Sequence, residues 1–420
     1  MRAVEDLVLD TLAATTAARR AAEGDRVDGV EPRFVASPTT TAEAAQVMRI
    51  AAEHGLAVVA RGAGTKLSWG QPPERVDLVV DTSRLDQVVE HGAGDLVVHV
   101  QAGVRLDVLQ EHLAGARQRL GADPVLPPAA GSGTAGGLIA TATSGPLRLS
   151  HGAVRDLLIG VTIARADGTI AKAGGKVVKN VAGYDLGKLL TGSWGTLGLV
   201  TEAVFRLHPL PARARWVSVP VTSTAAAHEQ AQRVLHSQVV PTALELDRPA
   251  DAPATLAVLV EGIEAGVEGR VTTLLELLGG DAGVAGEAPP WWGRAPWAAG
   301  GVALRLTHEI AGLPRLLDAV DDAGRRYGLR PAVRGSAGVG VLYAALPTEA
   351  EPEAVAGFTR HLRDSSPAWS GDVVVLDAPP PVKASVDTWG PARGLNLMRR
   401  VKDQFDPQRR LAPGRFVGGI

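Results

Sequence analysis

The sequence predicts an α+β protein with more than one domain. Its 420 residues exceed what one hydrophobic core usually holds. Short apolar runs rich in β-branched residues alternate with stretches of helical periodicity. Pro209 and Pro211 interrupt this pattern at mid-chain. They separate a Gly-rich first half from a second half whose alternating strands and helices are typical of a ferredoxin-like α+β domain.

The composition excludes several classes of protein. Hydrophobic residues make up 45% and charged residues 21%, as in a globular enzyme, and the net charge of -2 gives no basis for a nucleic-acid partner. Without cysteine, the chain has no disulfide, thiolate nucleophile, iron–sulfur cluster or cysteine-ligated zinc. The ten histidines show no metal-binding spacing, so no metal site is predicted.

The termini and the hydropathy pattern bear on location. Residues 1–10 lack the basic and then apolar pattern of a signal peptide. No apolar run approaches the roughly 20 residues that a membrane span needs. We therefore expect a cytoplasmic protein, with any contact to the inner membrane made through partners.

The N-terminal part predicts a packing helix, a capped helix and a strand. Residues 1–30 combine an amphipathic helix with a polar stretch. Thr40 and Glu43 have the spacing of a capping box, ahead of a helix that Gly55 closes. Residues 57–60 predict a short buried strand that leads directly into a Gly-rich loop.

The remaining elements follow from the same patterns. Further strands are predicted over 76–80, 96–100, 157–164, 169–171, 197–207, 256–260, 302–307, 339–345 and 373–376. Further helices are predicted over about 104–113, 225–235, 269–278, 313–327, 352–363 and 395–405. The run at 379–381, three prolines, predicts a linker.

The Gly-rich loop Arg61-Gly62-Ala63-Gly64-Thr65 suits an anion. Small residues after a strand let backbone N–H groups turn inward, and a side chain at Gly62 or Gly64 would block a pyrophosphate. Arg61 would add a positive charge. The same residues suit a simple tight turn equally well.

A second Gly-rich segment, 131–136, reads Gly-Ser-Gly-Thr-Ala-Gly and matches a dinucleotide fingerprint. That fingerprint requires a strand immediately before it, whereas Pro127 and Pro128 stand there. We therefore predict a second backbone-lined wall of a cofactor site, with hydroxyl contacts from Thr134 and Ser144 and close backbone approach at 136–137.

Two further motifs have local explanations. The run 179–185, Lys-Asn-Val-Ala-Gly-Tyr-Asp, suits a loop leading into a helix capped by Asp185. The run 192–198, Gly-Ser-Trp-Gly-Thr-Leu-Gly, suits a turn entering a strand.

Taken in order, these segments resemble the FAD-binding domain of the vanillyl-alcohol oxidase type, also called the PCMH type. The resemblance covers about 32–211 and continues through His151-Gly152, Arg155-Asp156 and Asp167-Gly168. The tail from Leu397 to Arg415 resembles the C-terminal segment of FAD-linked oxidases, which returns to the flavin domain. The whole is most similar to the FAD-binding E subunit of glycolate oxidase.

The resemblance implies a domain plan and a set of site residues. The plan is an N-terminal helix (1–30), a two-lobed PCMH-type FAD-binding domain (31–211), a smaller ferredoxin-like cap domain (212–385) and a C-terminal oxidase segment (386–420). The cofactor-binding residues that it implies are Arg61, Gly62, Ala63, Gly64, Thr65, Trp69, Gly70, Pro128, Thr134, Gly136, Gly137, Thr143, Ser144, Gly145, Gly198 and Val200.

Three positions depart from the family pattern. Thr65 and Lys66 stand where some members attach flavin through histidine or cysteine, so non-covalent FAD is expected. Trp194 stands where an acidic residue is frequent, and Ala412 where asparagine usually precedes Pro-Gly.

The activity that the resemblance implies is the oxidation of a 2-hydroxy acid to a 2-oxo acid. The alcohol carbon would deliver hydride to flavin N5 while a base takes the hydroxyl proton. The sequence does not identify this base. A carboxylate substrate needs a cation, for which the second half offers Arg305, Arg334 and Arg360.

The resemblance also implies partners: a second flavin subunit and an iron–sulfur subunit. Without cysteine for an iron–sulfur centre, electrons must pass to oxygen, a quinone or another protein. The cap domain lacks the histidine cluster of members that act alone, which favours an accessory FAD-carrying subunit. Two alternatives stay open: a self-contained FAD oxidase of a sugar alcohol or lactone, and a non-catalytic flavin-bearing assembly subunit.

Overall fold

The structure is a computed structural model that describes residues 2–127, 131–176 and 184–420. Within these ranges the chain forms thirteen α-helices and nineteen β-strands. The helices are α1 (Arg2–Ala13), α2 (Thr41–Glu53), α3 (Leu106–Ala114), α4 (Ala135–Thr141), α5 (Arg148–His151), α6 (Val154–Leu157), α7 (Leu186–Leu190), α8 (Thr224–Leu235), α9 (Glu264–Leu278), α10 (Leu313–Tyr327), α11 (Pro352–Ser365), α12 (Pro380–Ser385) and α13 (Leu395–Phe405). None of the described helices is long and apolar enough to span a membrane.

The strands belong to four sheets. They are β1 (Ala17–Arg20), β2 (Phe34–Ser37), β3 (Val58–Arg61), β4 (Leu78–Asp81), β5 (Val88–Gly92), β6 (Val97–Gln101), β7 (Gln118–Arg119), β8 (Leu158–Ala164), β9 (Ile170–Gly174), β10 (Leu199–Arg206), β11 (His208–Pro209), β12 (Arg213–Val221), β13 (Ala243–Arg248), β14 (Ala254–Gly262), β15 (Gly283–Ala285), β16 (Val302–Thr307), β17 (Ala332–Ser336), β18 (Val341–Leu346) and β19 (Val373–Asp377).

The first lobe is a four-stranded sheet in the order β1-β2-β4-β3, with β2, β4 and β3 parallel. Helix α2 covers it through a buried face that includes Val47, Met48 and Ala51. Thr40 caps this helix by accepting the N–H of Glu43, as its spacing predicts.

The second lobe is a five-stranded antiparallel sheet in the order β5-β6-β10-β8-β9. Its central strand β10 is buried almost throughout, and short helices α3, α4 and α6 complete the core on one face. A small sheet of β7 and β11 closes the lobe, so the predicted boundary at residue 211 falls between β11 and β12.

The cap domain consists of two ferredoxin-like units placed edge to edge. The first runs β12-α8-β13-β14-α9-β15 and the second β16-α10-β17-β18-α11-β19. Antiparallel pairing of β13 with β17 joins them into one eight-stranded sheet, in the order β15-β12-β14-β13-β17-β18-β16-β19. The four helices pack on one face. The ferredoxin-like prediction is therefore confirmed, with the unit present twice.

The opposite face of the cap sheet meets the two lobes. Arg119 of the second lobe donates to Glu261 at 2.8 Å, and Lys383 contacts Asp28 of the first lobe at 2.7 Å. Trp69, Trp297 and Tyr343 lie in an apolar cluster at this junction. Two ion pairs and an aromatic cluster thus fix the cap domain over the lobes.

The C-terminal segment returns to the lobes, as predicted. Val401 and Phe405 of α13 pack on the core of the second lobe. Val58 of β3 donates its N–H to Arg410 O (2.7 Å) and accepts from Ala412 N (2.8 Å), so the tail pairs with the first lobe. One segment therefore holds both lobes.

The predicted linker at 379–381 is wrong. Residues Pro380 to Ser385 form helix α12, because proline fits the first turn of a helix, where its missing N–H costs nothing. The Gly-rich stretch before Pro146 contains helix α4, which was not predicted. Pro128 and residues 179–183 of the run 179–185 lie outside the described residues.

A buried ion pair anchors the returning segment, and its removal gives a first prediction. Lys402 donates to Asp406, Thr196 O and Leu411 O, each at 2.8 Å. Lys402→Met leaves Asp406 buried without its cation, so we expect the free energy of unfolding to fall by about 3–5 kcal/mol. Denaturant unfolding measures this change.

Asp403→Asn is the matched control on the same helix. Asp403 pairs with Arg409 with both side chains about half exposed, so its loss should change the free energy of unfolding by roughly 1 kcal/mol or less. Equal effects of the two substitutions would contradict an anchoring role for Lys402.

Candidate active site

The loop after β3 forms one wall of a slot between the two lobes. Residues 62–67 line this wall with mostly backbone atoms. Gly64 has φ of +77°, a conformation that side-chain-bearing residues rarely adopt. A Cβ at Gly62 would collide with the side chain of Thr134 on the facing wall. The loop can therefore lie this close to the second lobe only with glycine at 62.

Helix α4 forms the facing wall. The Thr134 hydroxyl accepts the N–H of Gly137 at 3.2 Å and so caps the helix. Gly137, Ala140 and Thr141 then face the slot from successive turns. The Gly-rich segment thus lines the slot through a capped helix.

The third wall combines the turn before β10 with the C-terminal tail. Trp194, at φ of +56°, packs edge-on against Trp389 with ring centroids 4.8 Å apart. Arg415 donates to Leu67 O and Trp69 O, both at 2.8 Å, while its Nε is buried without a partner. The tail therefore fixes both its own wall and the loop of the first wall.

Lys66 and Arg415 are the cations that line the slot among the described residues. Burial lowers the pKa of Lys66 to about 8 and that of Arg415 to about 10. Arg61 points away, since it donates to Asp25 at 2.9 Å and Asp81 at 2.7 Å. The positive charge expected from Arg61 is therefore neutralised by two carboxylates.

The slot suits an elongated phosphate-bearing cofactor. Its walls consist largely of glycine, alanine and threonine, which leave room for a ligand close to the backbone. Among the described residues, Lys66 has no carboxylate partner, so a diphosphate beside it would supply the missing counter-charge. The Nε–H group of Arg415 is buried without a hydrogen-bond partner, and a phosphate oxygen would supply an acceptor for it.

A second cavity of about 100 Å³ adjoins the slot and shares Thr141 with it. Its floor comes from the second lobe and its roof from the face of the cap sheet that points away from the cap helices. The lining residues are Trp69, Thr141, Ala142, Thr143, Ser144, Arg148, Arg305, Thr307, Val341, Tyr343 and Leu376.

Sheet alternation places Arg305 in this roof. Leu304 and Leu306 point into the core of the cap domain, so Arg305 points to the opposite face. It lies directly across from Tyr343 on β18. Burial raises the pKa of Tyr343 to about 12, and its hydroxyl donates to Ser144 O at 3.3 Å. The Ser144 hydroxyl and Arg305 Nε are buried without partners.

Two buried carboxyl groups lie close to this cavity. Burial raises the pKa of Asp123 to about 7, although the carboxylate accepts the N–H of Leu147. Burial also raises the pKa of Glu245, on β13, well above its ordinary value. Burial therefore favours the protonated form of both carboxyl groups.

The structure places the predicted site residues in three groups. Gly62, Ala63, Gly64, Thr65, Thr134 and Gly137 line the slot, and Trp69, Thr143 and Ser144 line the second cavity. The others pack around these spaces: Gly70 lies against Trp389, Gly136 against Ala102, Gly145 against Asp123, Gly198 against Ile163, and Val200 in the core of the second lobe. Asp185 caps α7.

The sequence did not predict Lys66, Arg148, Trp194 and Arg415 as lining residues. Trp194 belongs to the run 192–198, and Arg415 ends the C-terminal segment that resembles FAD-linked oxidases. The sequence therefore indicated both segments but not the roles of these two residues. Arg148 carries no motif and reaches the cavity only through the fold.

Family models match two parts of the chain. Residues 32–174 match the FAD binding domain, and residues 386–416 match the C-terminal domain of FAD linked oxidases. The first match contains the loop and α4, and the second contains Arg415. The two matches therefore include residues of all three walls.

Curated relatives and a solved structure agree with these matches. The chain is 33% identical over 219 residues to glycolate oxidase subunit GlcD of Bacillus subtilis (strain 168), covering 52% of the chain and 46% of that protein. It is 32% identical over 231 residues to glycolate oxidase subunit GlcE of Escherichia coli (strain K12), covering 55% and 61%. The matched stretch thus spans about half the length of these relatives.

The fold has a counterpart over its whole length. The structure of p-cresol methylhydroxylase with substrate bound superposes with a TM-score of 0.76 at 15% identity, covering 99% of the chain and 97% of that one. The fold is therefore that of p-cresol methylhydroxylase, the PCMH-type fold. The chain carries the FAD binding and C-terminal domains of the FAD-linked oxidoreductases, and its cofactor is FAD.

Closure of the slot by glycine gives a second prediction. In Gly62→Ala the new Cβ displaces Thr134, which narrows the slot and breaks the cap of α4. We expect FAD affinity to fall about tenfold or more, equivalent to ~1.4 kcal/mol or more. Titration of the apoprotein with FAD, followed by flavin fluorescence, measures it. Gly94→Ala is the control, because a Cβ there meets nothing within 4 Å; equal affinities would contradict the closure.

The low pKa of Lys66 gives a pH prediction. A diphosphate beside Lys66 raises its pKa, so binding takes up a proton above pH 8, where the free site is deprotonated. FAD affinity should therefore fall about tenfold from pH 7 to pH 9. Lys66→Met should bind more weakly at pH 7 and lose most of this dependence. Parallel pH profiles for the two proteins would show that Lys66 does not face the diphosphate.

Proposed function

We propose that the chain oxidises a small 2-hydroxy acid to a 2-oxo acid as the FAD-carrying subunit of a glycolate oxidase-type assembly. The cofactor and the family support oxidoreductase chemistry. The second cavity, placed directly beside the slot and walled by arginine and hydroxyl groups, supports a hydroxy-acid substrate.

The position of Arg305 carries this proposal. Of three arginines that the sequence offers for a carboxylate, Arg305 lines the cavity. Arg334 pairs with Asp247 at 2.7 Å, and Arg360 is exposed on α11. The described residues offer Arg305 no ion-pair partner, and its Nε is unpartnered. A part-buried guanidinium without a counter-ion is suited to bind a carboxylate, preferably through two parallel hydrogen bonds.

The other lining groups suit the alcohol end of such a substrate. FAD held by the residues of the slot would supply the hydride acceptor. Thr141 lies on this boundary, and its hydroxyl bonds that of Thr143 at 2.8 Å. The Ser144 hydroxyl, buried without a partner, can hydrogen-bond the substrate hydroxyl. Trp69 and Leu376 help to exclude water from the cavity.

The relatives support an assembly. GlcD and GlcE are both named as subunits of glycolate oxidase, and the chain resembles both. The chain has no cysteine to hold an iron–sulfur centre. We therefore propose a second flavin subunit and an iron–sulfur subunit as partners that accept the electrons.

One observation favours a second candidate, a flavin carrier without chemistry of its own. The described residues that line the second cavity include neither a carboxylate nor an imidazole. Alcohol oxidation needs a group that accepts the hydroxyl proton. The phenol of Tyr343, with a pKa of about 12, accepts a proton only if the bound substrate lowers that value.

Anaerobic reduction of the flavin separates the two candidates. Glycolate or D-lactate added to the FAD-loaded chain should bleach the visible flavin band, and Arg305→Met should slow bleaching at subsaturating substrate by about a hundredfold, or ~3 kcal/mol. A matched Arg325→Met variant on α10, with the side chain 73% exposed, should bleach like the wild type.

Each outcome of this experiment has a distinct meaning. Bleaching that survives in Arg305→Met would contradict the carboxylate site. A protein that stays yellow with a panel of 2-hydroxy acids, both alone and in its assembly, would overturn the oxidase and leave the carrier. Rapid reoxidation of the isolated chain by air would favour a self-contained oxidase over an assembly subunit.

A further inference from the structure

The second cavity contains two guanidinium groups. Arg305 enters from β16 in the cap domain, and Arg148 enters from α5 in the second lobe. Burial lowers the pKa of Arg305, and the nearby charge of Arg148 lowers it further. Two like charges from different domains thus face one enclosed space.

The described surroundings do not compensate this charge. Among the described residues, neither arginine forms an ion pair with a carboxylate, and Tyr343, which lies across from Arg305, stays protonated. Asp123, Glu245 and Asp372 do not line the cavity, and burial favours the protonated forms of the first two. A ligand with two negative charges would therefore compensate the two part-buried arginines better than a ligand with one.

We propose that this cavity binds a small 2-hydroxy acid that carries a second anionic group, with Arg305 holding one anion and Arg148 the other. This inference rests on the proposed function for the hydroxy-acid part. The cavity volume of about 100 Å³ limits the ligand to a small molecule of this kind. The second group is a carboxylate or a phosphate ester, since guanidinium forks bind both.

The positions of the two arginines assign separate tasks. Arg305 lies across from Tyr343 and close to the unpartnered Ser144 hydroxyl, so it holds the carboxylate next to the reacting alcohol. Arg148 belongs to the helix after Ser144 and selects the substrate by its far end. Arg148 is thus a specificity residue, and its loss should weaken the binding of dianions much more than that of monoanions.

Binding of unreactive anions tests the inference without turnover. Acetate, propionate, malonate, succinate and 3-phosphonopropionate are titrated into the oxidised FAD-loaded chain at constant ionic strength, and the shift of the flavin absorbance is followed. We expect dianions to bind at least tenfold more tightly than monoanions. Comparing the affinities of malonate and succinate with that of 3-phosphonopropionate shows whether the second anionic group is a carboxylate or a phosphate.

Variants assign the two tasks. Arg148→Met should remove the preference for dianions and weaken propionate binding much less than dianion binding, whereas Arg305→Met should weaken both strongly. Arg148→Lys, which keeps the charge but not the fork, should restore part of the preference. Arg325→Met is the control, and FAD content with the thermal unfolding midpoint shows that each variant is folded.

Two results would overturn the inference: equal binding of monoanions and dianions by the wild type, or a dianion preference that persists in Arg148→Met. Failure of the proposed function looks different. In that case dianions bind with the expected dependence on Arg148, while glycolate, D-lactate, D-malate, D-2-hydroxyglutarate and 3-phosphoglycerate all leave the flavin oxidised.

Discussion

The contact that the rest of the structure depends on is the buried lysine of the returning tail. Lys402 joins Asp406 on its own segment to Thr196 O in the turn of the third wall. It also donates to Leu411 O, between the two residues of the tail that pair with β3. The slot walls come from residues near 62, 134, 194 and 415, and this one ammonium group joins the turn near 194 to the tail that carries Arg415. The burial of this ammonium group is tolerated because each of its N–H groups donates a hydrogen bond to an oxygen.

Sequence reasoning succeeded where the deciding interactions are local. The predicted bounds 313–327 and 395–405 agree with those of α10 and α13, because apolar periodicity and end signals lie within each segment. The same holds for the capped start of α2 and for the backbone loop at 62–65, whose glycines follow from local geometry. The two-lobed plan with a ferredoxin-like second half came from the order of such segments and from family resemblance.

The elements that were missed depend on distant partners. Strands β12, β13 and β17 carry polar or aromatic side chains such as Trp216, Glu245 and Arg334 on the face that meets the lobes. That face becomes buried only after the cap domain docks, so these strands lack the usual alternation of buried and solvated residues. Lys66 and Arg148 were missed for the same reason, since their burial is created by segments far away in the chain.

The two ferredoxin-like units of the cap domain have different roles. Strands β16, β18 and β19 of the second unit roof the cavity, whereas β14 of the first unit provides Glu261 for attachment to the second lobe. The pairing of β13 with β17 is the seam between them. Recognition and attachment therefore sit on separate modules of one sheet. Evolution or protein engineering can therefore change the second unit to bind other acids, while the first unit keeps the cap sheet attached to the second lobe.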